Sequence, residues 1–309
     1  MNKRPLLLIA ALLPLAAARP AAAWGIEGHE VVAIIAYDLL SPQARANADA
    51  LLADDPVPAN CGAGSFEFAS IWPDRLREDP RQCASRNKWG DTETWHFINI
   101  PVSADSYDPG RDCPNQACVT GRVAYFAKLL GDRNADPSKR RDALKFVIHF
   151  VADLHQPLHT TVAPLDPQRA ARAKAMGGRE EIACLKKKAA NDHGGNCLDV
   201  RIDGRAGNLH AFWDDAIVAA LSPDADTAAQ MLIRNTPATA PIAAGSLTDW
   251  TNQSHSLAVR VAYNTLPSGP MPELTGSDGS YEAKVEPTAA GQLQAAGIRL
   301  AAILEPLLR

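Results

Sequence analysis

The stretch His149-Phe150-Val151-Ala152-Asp153-Leu154-His155-Gln156-Pro157-Leu158-His159 closes the most strongly patterned part of the 309-residue chain. Upstream of it, Leu144, Val147, Ile148 and Val151 recur at helical spacing, so residues 138–155 read as an amphipathic helix. Pro157 should end that helix just before itself. His149 and Asp153 lie four apart and share a helix face, in the middle of an apolar run. Alone, such a pair also fits a histidine donating to an aspartate inside a core, because buried polar groups mostly satisfy one another. The continuation shifts the balance. His159 can fold back over the helix end that carries Asp153.

Working outward, helical periodicity dominates. Residues 29–40, 120–130, 209–221, 248–266 and 289–308 join 138–155 as helices, and Ser41 with Pro42 reads as the cap and first turn of another. Strand signals are few and short, at 97–100 and 198–202. Residues 54–64, 107–115 and 268–280 are loop-like, rich in Pro, Gly, Asp and Ser. No repeat and no domain linker stands out. The expectation is one mainly α, multi-helix domain covering residues 24–309. Residues 166–195 differ, with Arg169, Arg172, Lys174, Arg179 and Lys186 to Lys188. They could guide a nucleic-acid strand, or form a solvated helix and loop, as charge runs usually do.

The N-terminus reads as an export signal. Lys3 and Arg4 precede an apolar run to Ala18, and Ala21 to Ala23 fit a small-residue cleavage site. Residues 1–23 are therefore expected to be a signal peptide, and the mature chain to begin at Trp24. The run is too short to span a membrane, which takes about 20 apolar residues, so a secreted or periplasmic protein without a membrane span is expected. Removing the segment takes away Lys3, Arg4 and Arg19 and leaves 28 basic and 35 acidic residues, a net charge of −7. A protein that holds nucleic acid on a broad basic surface would not look like this. Positive charge for a phosphate substrate would have to come from bound metal. The six cysteines suggest disulfides in an exported chain. Sequence proximity favours Cys61–Cys83, Cys113–Cys118 and Cys184–Cys197. Zinc ligation by cysteine is the weaker alternative, since no two stand at C-x-x-C spacing.

Further candidate ligands are spread along the chain. Asn208-Leu-His210-Ala-Phe-Trp-Asp214 again sets His and Asp four apart on a helix. Earlier, His29 follows Trp24 by five residues, Asp74 sits in Trp72-Pro-Asp, and His96 sits in Trp95-His-Phe97-Ile-Asn99. Each is a weak signal alone, and a Trp-flanked His or Asp is commonly a core hydrogen-bonding group. His and carboxylate sets are also what zinc takes as ligands.

Taken together in order and spacing, these motifs resemble the S1/P1 nucleases, zinc-dependent, single-strand-specific enzymes that share their fold with the zinc-dependent bacterial phospholipases C. The resemblance runs from Trp24 to about Asp214 in motifs and extends in helix pattern to the C-terminus. It implies a phospholipase C/nuclease-like fold and three Zn2+ ions. Asp74, His96 and His149 would hold the first, with Asp153 as a bridge to the second, held by Trp24 and His29. His159, His210 and Asp214 would hold the third. Trp24 would ligate through a free α-amino group, which requires the signal peptide to be removed. The implied reaction is hydrolysis of single-stranded DNA and RNA to 5′-phosphate products, by a zinc-activated hydroxide that Asp74 orients. Asn196, in Asp192-His-Gly-Gly-Asn, matches a residue that contacts the phosphate. Arg77 falls where the family often has Lys, a change of geometry as well as of residue. Phe97 would stack a base, and Asn99 stands where an Asp commonly reads the base edge. Activity on 3′-nucleotides is an added implication, and a monomer is expected. The competing readings are a zinc-dependent phospholipase C and a non-catalytic periplasmic zinc-binding protein. A metalloprotease is disfavoured because H-E-x-x-H is absent.

Overall fold

The computed structural model describes residues 24–234, 236 and 238–309. The signal-peptide reading falls on residues 1–23, outside the described residues. The helix expected at 138–155 spans Pro137–His155 and organises everything else. The Asp136 carboxylate caps it by accepting from the Ser138 N–H, and Pro137 occupies its first turn. Gln156, directly before Pro157, is extended, and the helix stops there. Every residue from Arg141 to His155 is buried, so this is a central helix rather than a surface one. The helices Ile26–Leu39, Pro42–Leu52, Val119–Gly131, Leu247–Leu257 and Tyr281–Leu308 pack around it. Phe146 stacks on Phe126 at 4.2 Å and on Phe150 at 5.2 Å, with Trp72, Trp89 and Trp95 edge-on around Phe146. Three disulfides join Cys61 to Cys83, Cys113 to Cys118 and Cys184 to Cys197, as chain proximity suggested. Among the described residues no helix is long and apolar enough to cross a membrane.

The departures from the sequence reading have local causes. The expected strand at 97–100 shrinks to Ile100–Pro101, paired in parallel with Thr161–Val162. Phe97 and Ile98 are tied instead to two separate elements: the Ile98 N–H donates to the His159 carbonyl at the end of the 3-10 turn Pro157–His159, and the Phe97 carbonyl accepts from the Val119 N–H at the start of its helix. Asp199–Ile202 forms a hairpin with Arg205–Asn208 through Asp203 and Gly204, both at positive φ. The helix expected at 209–221 is interrupted by a π turn at Phe212–Ala216, and the one expected at 248–266 becomes π at Ala258–Tyr263. The C-terminal helix begins at Tyr281, earlier than residue 289, and carries Pro287 inside it. Ala283, whose carbonyl loses its helical donor there, is exposed. Residues 166–195 form two short helices, Pro167–Ala175 and Glu180–Lys186, with Lys186 to Lys188 exposed. They are fastened by the Cys184–Cys197 disulfide, by an Arg169–Glu181 ion pair at 2.9 Å, and by Asp199, which accepts the N–H groups that open the second helix.

At the end of the central helix His155 is fully buried. Its Nδ1 donates to the Val151 carbonyl at 2.7 Å, and Arg299 donates to its Nε2 at 2.8 Å. Burial, reinforced by the Arg299 charge, pushes its pKa down to about 3. The unfolded chain can protonate His155 below about 6.5 while the folded one cannot until pH 3. Stability from this group is therefore complete above pH 6.5 and lost as pH falls, by ~1.4 kcal/mol per pH unit. In metal-free protein, His155→Gln should flatten the urea midpoint between pH 6 and 4 relative to the parent. Parallel profiles for the two chains would show that His155 does not titrate in this way.

Candidate metal centre and substrate cleft

Five of the sequence-predicted residues converge at the middle of the central helix. His149 and Asp153 project from it, His29 comes from the N-terminal helix, Asp74 from the short helix Trp72–Glu78, and His96 from the 3-10 turn Glu93–His96. His96 Nδ1 lies 3.1 Å from Asp153 Oδ2 and 3.0 Å from His149 Nε2. His149 Nε2 lies 3.2 Å from Asp153 Oδ2 and 3.7 Å from Asp74 Oδ1. His29 Nε2 stands 3.4 Å from Asp153 Oδ1. His29, Asp74 and His149 form one compact ligand set, and His96, His149 and Asp153 another. His149 is common to both, so the two sets share one continuous centre.

A second group forms where the chain turns after Pro157. His159 Nε2 is 3.1 Å from His210 Nε2, which is 3.4 Å from Asp214 Oδ2. The π turn at Phe212–Ala216 carries Asp214 to this position, an instance of such turns occurring at functional sites. Trp24 is fully buried beside this group. The Gly25 N–H donates to the Asp214 carbonyl at 2.8 Å, pinning the start of the described chain there.

The imidazoles are oriented from behind. His149 Nδ1 bonds the Ser70 carbonyl, His159 Nδ1 the His96 carbonyl and His210 Nδ1 the Gly194 carbonyl, each at 2.6 Å. Nδ1–H donation leaves Nε2 as a lone-pair donor facing inward, the arrangement that metal-ligating histidines adopt. Gly194 is at φ +60, and a Cβ there would collide with the Leu158 carbonyl oxygen, so the loop can present its carbonyl to His210 only with glycine. Asp192 holds the same loop, accepting from the Ala163 N–H, the Gly195 N–H and the Tyr263 hydroxyl. Tyr263 reaches it from the second π segment.

The electrostatics are those of a site built for cations. Burial, with the neighbouring imidazoles, holds His29, His96 and His159 well below the ordinary histidine pKa, and burial takes His210 to about 4. Burial also pushes Asp153 up to about 7, against the pull of His149, and Asp214 well above the carboxylate range. Burial lowers His149 too, but Asp153 and Asp74 outweigh it and the net shift is upward. A cation placed among these imidazoles would return the buried carboxyls to their charged form. His29 Nε2, Asp153 Oδ1 and Asp214 Oδ2 are buried without a hydrogen-bond partner, although all sit within the two groups. Such orphaned atoms are costly, and metal ions would satisfy them.

The second group opens into a cleft of about 120 Å³, lined by Phe97, Asn99, Asn196, Arg77, His193 and Glu93 together with His159 and His210. Phe97 and Asn196 are half-buried and Asn99 exposed. Arg77 pairs with Asp74 at 3.2 Å, and so links the cleft to the buried centre. Every predicted site residue thus stands at the centre, the cleft or the chain start beside them. Two contributors were missed. Gln156 Nε2 donates to Asp214 Oδ1 at 2.7 Å, and Glu93 forms part of the cleft wall. Neither carries a signal in the sequence, because the first depends on a contact across 58 positions. His155 and His255 are buried hydrogen-bonding groups away from the ligand sets, while His193 lines the cleft.

A helical domain whose core helix carries buried His/Asp ligand sets, with a further His/Asp group beside a solvent cleft, defines the class, a candidate metalloenzyme. A model of the S1/P1 nuclease family matches residues 24–309, and the chain belongs to that family. It is 29% identical to Endonuclease 2 of Arabidopsis thaliana over 211 residues, which is 65% of this chain and 58% of that protein. It is 28% identical to Nuclease P1 of Penicillium citrinum over 222 residues, 69% of this chain and 66% of the relative. Nuclease S1 of Aspergillus oryzae is 28% identical over 211 residues, 66% and 59% of the two chains. The matched region thus spans less than two thirds of each of these relatives.

Proposed function

We propose that this chain is an exported three-zinc phosphodiesterase that hydrolyses single-stranded DNA and RNA to 5′-phosphate products and also accepts 3′-nucleotides. The observation that carries the reading is the union of a buried His29–Asp74–His96–His149–Asp153 centre with the His159–His210–Asp214 group at the edge of a cleft offering an aromatic face and an amide. The family relationship supports it. Residues 24–309 are the working domain, with Trp24 as a further ligand to the buried centre. Zinc at such sites supplies Lewis-acid chemistry, making water a nucleophile near neutral pH and offsetting charge that develops on the phosphate and the leaving 3′ oxygen.

The chain's own groups do the rest. Asp74, held by Arg77, orients the attacking water and accepts its proton. The Arg77 guanidinium then stabilises the phosphoryl oxygens, a charge-assisted contact. Asn196 donates its amide to a phosphate oxygen, its carboxamide already steered by the His193 carbonyl at 3.0 Å. The Phe97 ring stacks the adjoining base, which tolerates any base, and Asn99 offers both donor and acceptor to its edge. A base must leave its duplex stack to reach Phe97, at a cost of a few kcal/mol, so single strands are preferred.

The test compares zinc-loaded protein on heat-denatured DNA, duplex DNA, 3′-AMP and phosphatidylcholine micelles. Denatured DNA should be cut fastest, with phosphate released from 3′-AMP, and chelation should abolish both activities. Cleavage of the lipid alone would replace the reading with a phospholipase C.

A further inference from the structure

The cleft does not stop at Arg77 and Glu93. The same two side chains line a second groove of about 580 Å³, which continues over Leu76, Pro80, Lys88 and Trp89. That volume falls within the roughly 300–1,000 Å³ typical of small-ligand sites. Trp89 is half-buried and held rigidly. Its indole N–H donates to Asp142 Oδ2 at 2.8 Å, and its ring stands edge-on to Phe126 at 5.3 Å and Phe146 at 5.7 Å. Lys88 is exposed, makes no ion pair among the described residues, and sits at φ +45 in a turn completed by Gly90 at φ +75. A non-glycine residue in that region is uncommon and carries strain, which tends to be kept at functional sites. A preorganised aromatic ring beside an unpaired ammonium, continuous with a phosphate-handling cleft, has the composition of a single-strand subsite.

We propose that this groove binds a second nucleotide of the strand whose neighbour occupies the Phe97 cleft. Its base lies against Trp89 and its phosphate near Lys88, while Asp91 and Glu93 on the wall accept from exocyclic amino groups. The proposal rests on the nucleic-acid reading above. Its occupant follows from continuity: a strand leaving the Phe97 cleft past Arg77 and Glu93 enters this groove directly.

The test measures kcat/KM for a dinucleotide and a hexanucleotide single strand, with zinc-loaded parent, Trp89→Ala, Trp89→Phe and Lys88→Ala. Trp89→Ala should lower the hexanucleotide-to-dinucleotide ratio by roughly tenfold, the size of one lost base stack, and Trp89→Phe should restore most of it. Lys88→Ala should lower the same ratio and flatten the salt dependence of hexanucleotide binding by about 0.7 in log–log slope, one phosphate contact on a single strand. Unchanged ratios in both alanine variants would overturn the subsite. If Trp89→Ala does not fold for want of its bond to Asp142, Lys88→Ala at its exposed position decides alone. A parent that cuts neither length refutes the nuclease reading instead. In that case, hexanucleotide binding with a Lys88-dependent salt slope still supports the groove, and no such dependence overturns it.

Discussion

Asp153→Asn should reduce bound zinc from about three ions per chain to about one and lower cleavage of denatured DNA by ~10³-fold or more. The carboxylate stands 3.1–3.4 Å from three imidazoles, those of His29, His96 and His149. An amide keeps the shape but removes the charge, so the proposed cations at His29, His96 and His149 would lose the anion between them. His159, His210 and Asp214 are untouched and should retain one ion. Without metal the same substitution has the opposite effect on the fold. Burial raises the Asp153 carboxyl to about 7, above its unfolded value. Stability linked to it is present at low pH and is lost as pH rises toward and past 7. Asn carries no such penalty, so metal-free Asp153→Asn should unfold at higher urea than the metal-free parent at pH 8. Zinc content by elemental analysis and urea titration separate the two effects. Full zinc and activity in the variant would remove Asp153 from its bridging role.

The contrast between metal binding and bare stability also shows what the sequence could tell. The central helix was legible because Leu144, Val147, Ile148 and Val151 keep one helical period, and because His149 and Asp153 share a single face among them. The second pair, His210 and Asp214, was legible for the same reason, although the π turn that aims Asp214 was not. A π turn is a local response to packing, here around a carboxylate that Gln156 must reach, and composition does not encode it. The strand expected at 198–202 held as Asp199–Ile202, whereas the one expected at 97–100 failed for a related reason. Phe97 to Asn99 have strand-like residues, but their partners are the carbonyl of His159 and the N–H of Val119, which only tertiary structure supplies. Disulfide pairing was recoverable because each bond closes a short loop. The groove over Trp89 was invisible, since Lys88 and Trp89 show no periodicity and gain meaning only from the cleft that Arg77 and Glu93 share with them.

One added residue ahead of Trp24 should be as damaging as the loss of Asp153. An α-amino group has a pKa near 8, so a metal can displace its proton at neutral pH, whereas a peptide nitrogen is no such ligand. Trp24 is fully buried, and the next residue is fixed at both sides: the Gly25 N–H bonds the Asp214 carbonyl, and the Gly25 carbonyl accepts from the His29 N–H at 3.2 Å. A Cβ at Gly25 would collide with the Asp215 carboxylate. The segment therefore cannot swing aside to expose another nitrogen. A chain beginning at Trp24 should bind about three zinc ions and cut denatured DNA. A chain with one residue more should lose the ion that His29 holds, and with it ~10³-fold in rate. Zinc counts and cleavage rates on the two purified forms check this directly. Three ions without cleavage in the Trp24 form would favour a phospholipase or a binding protein. Equal zinc and activity in both forms would show that Trp24 is no ligand, and His29 would then need another partner in the buried centre.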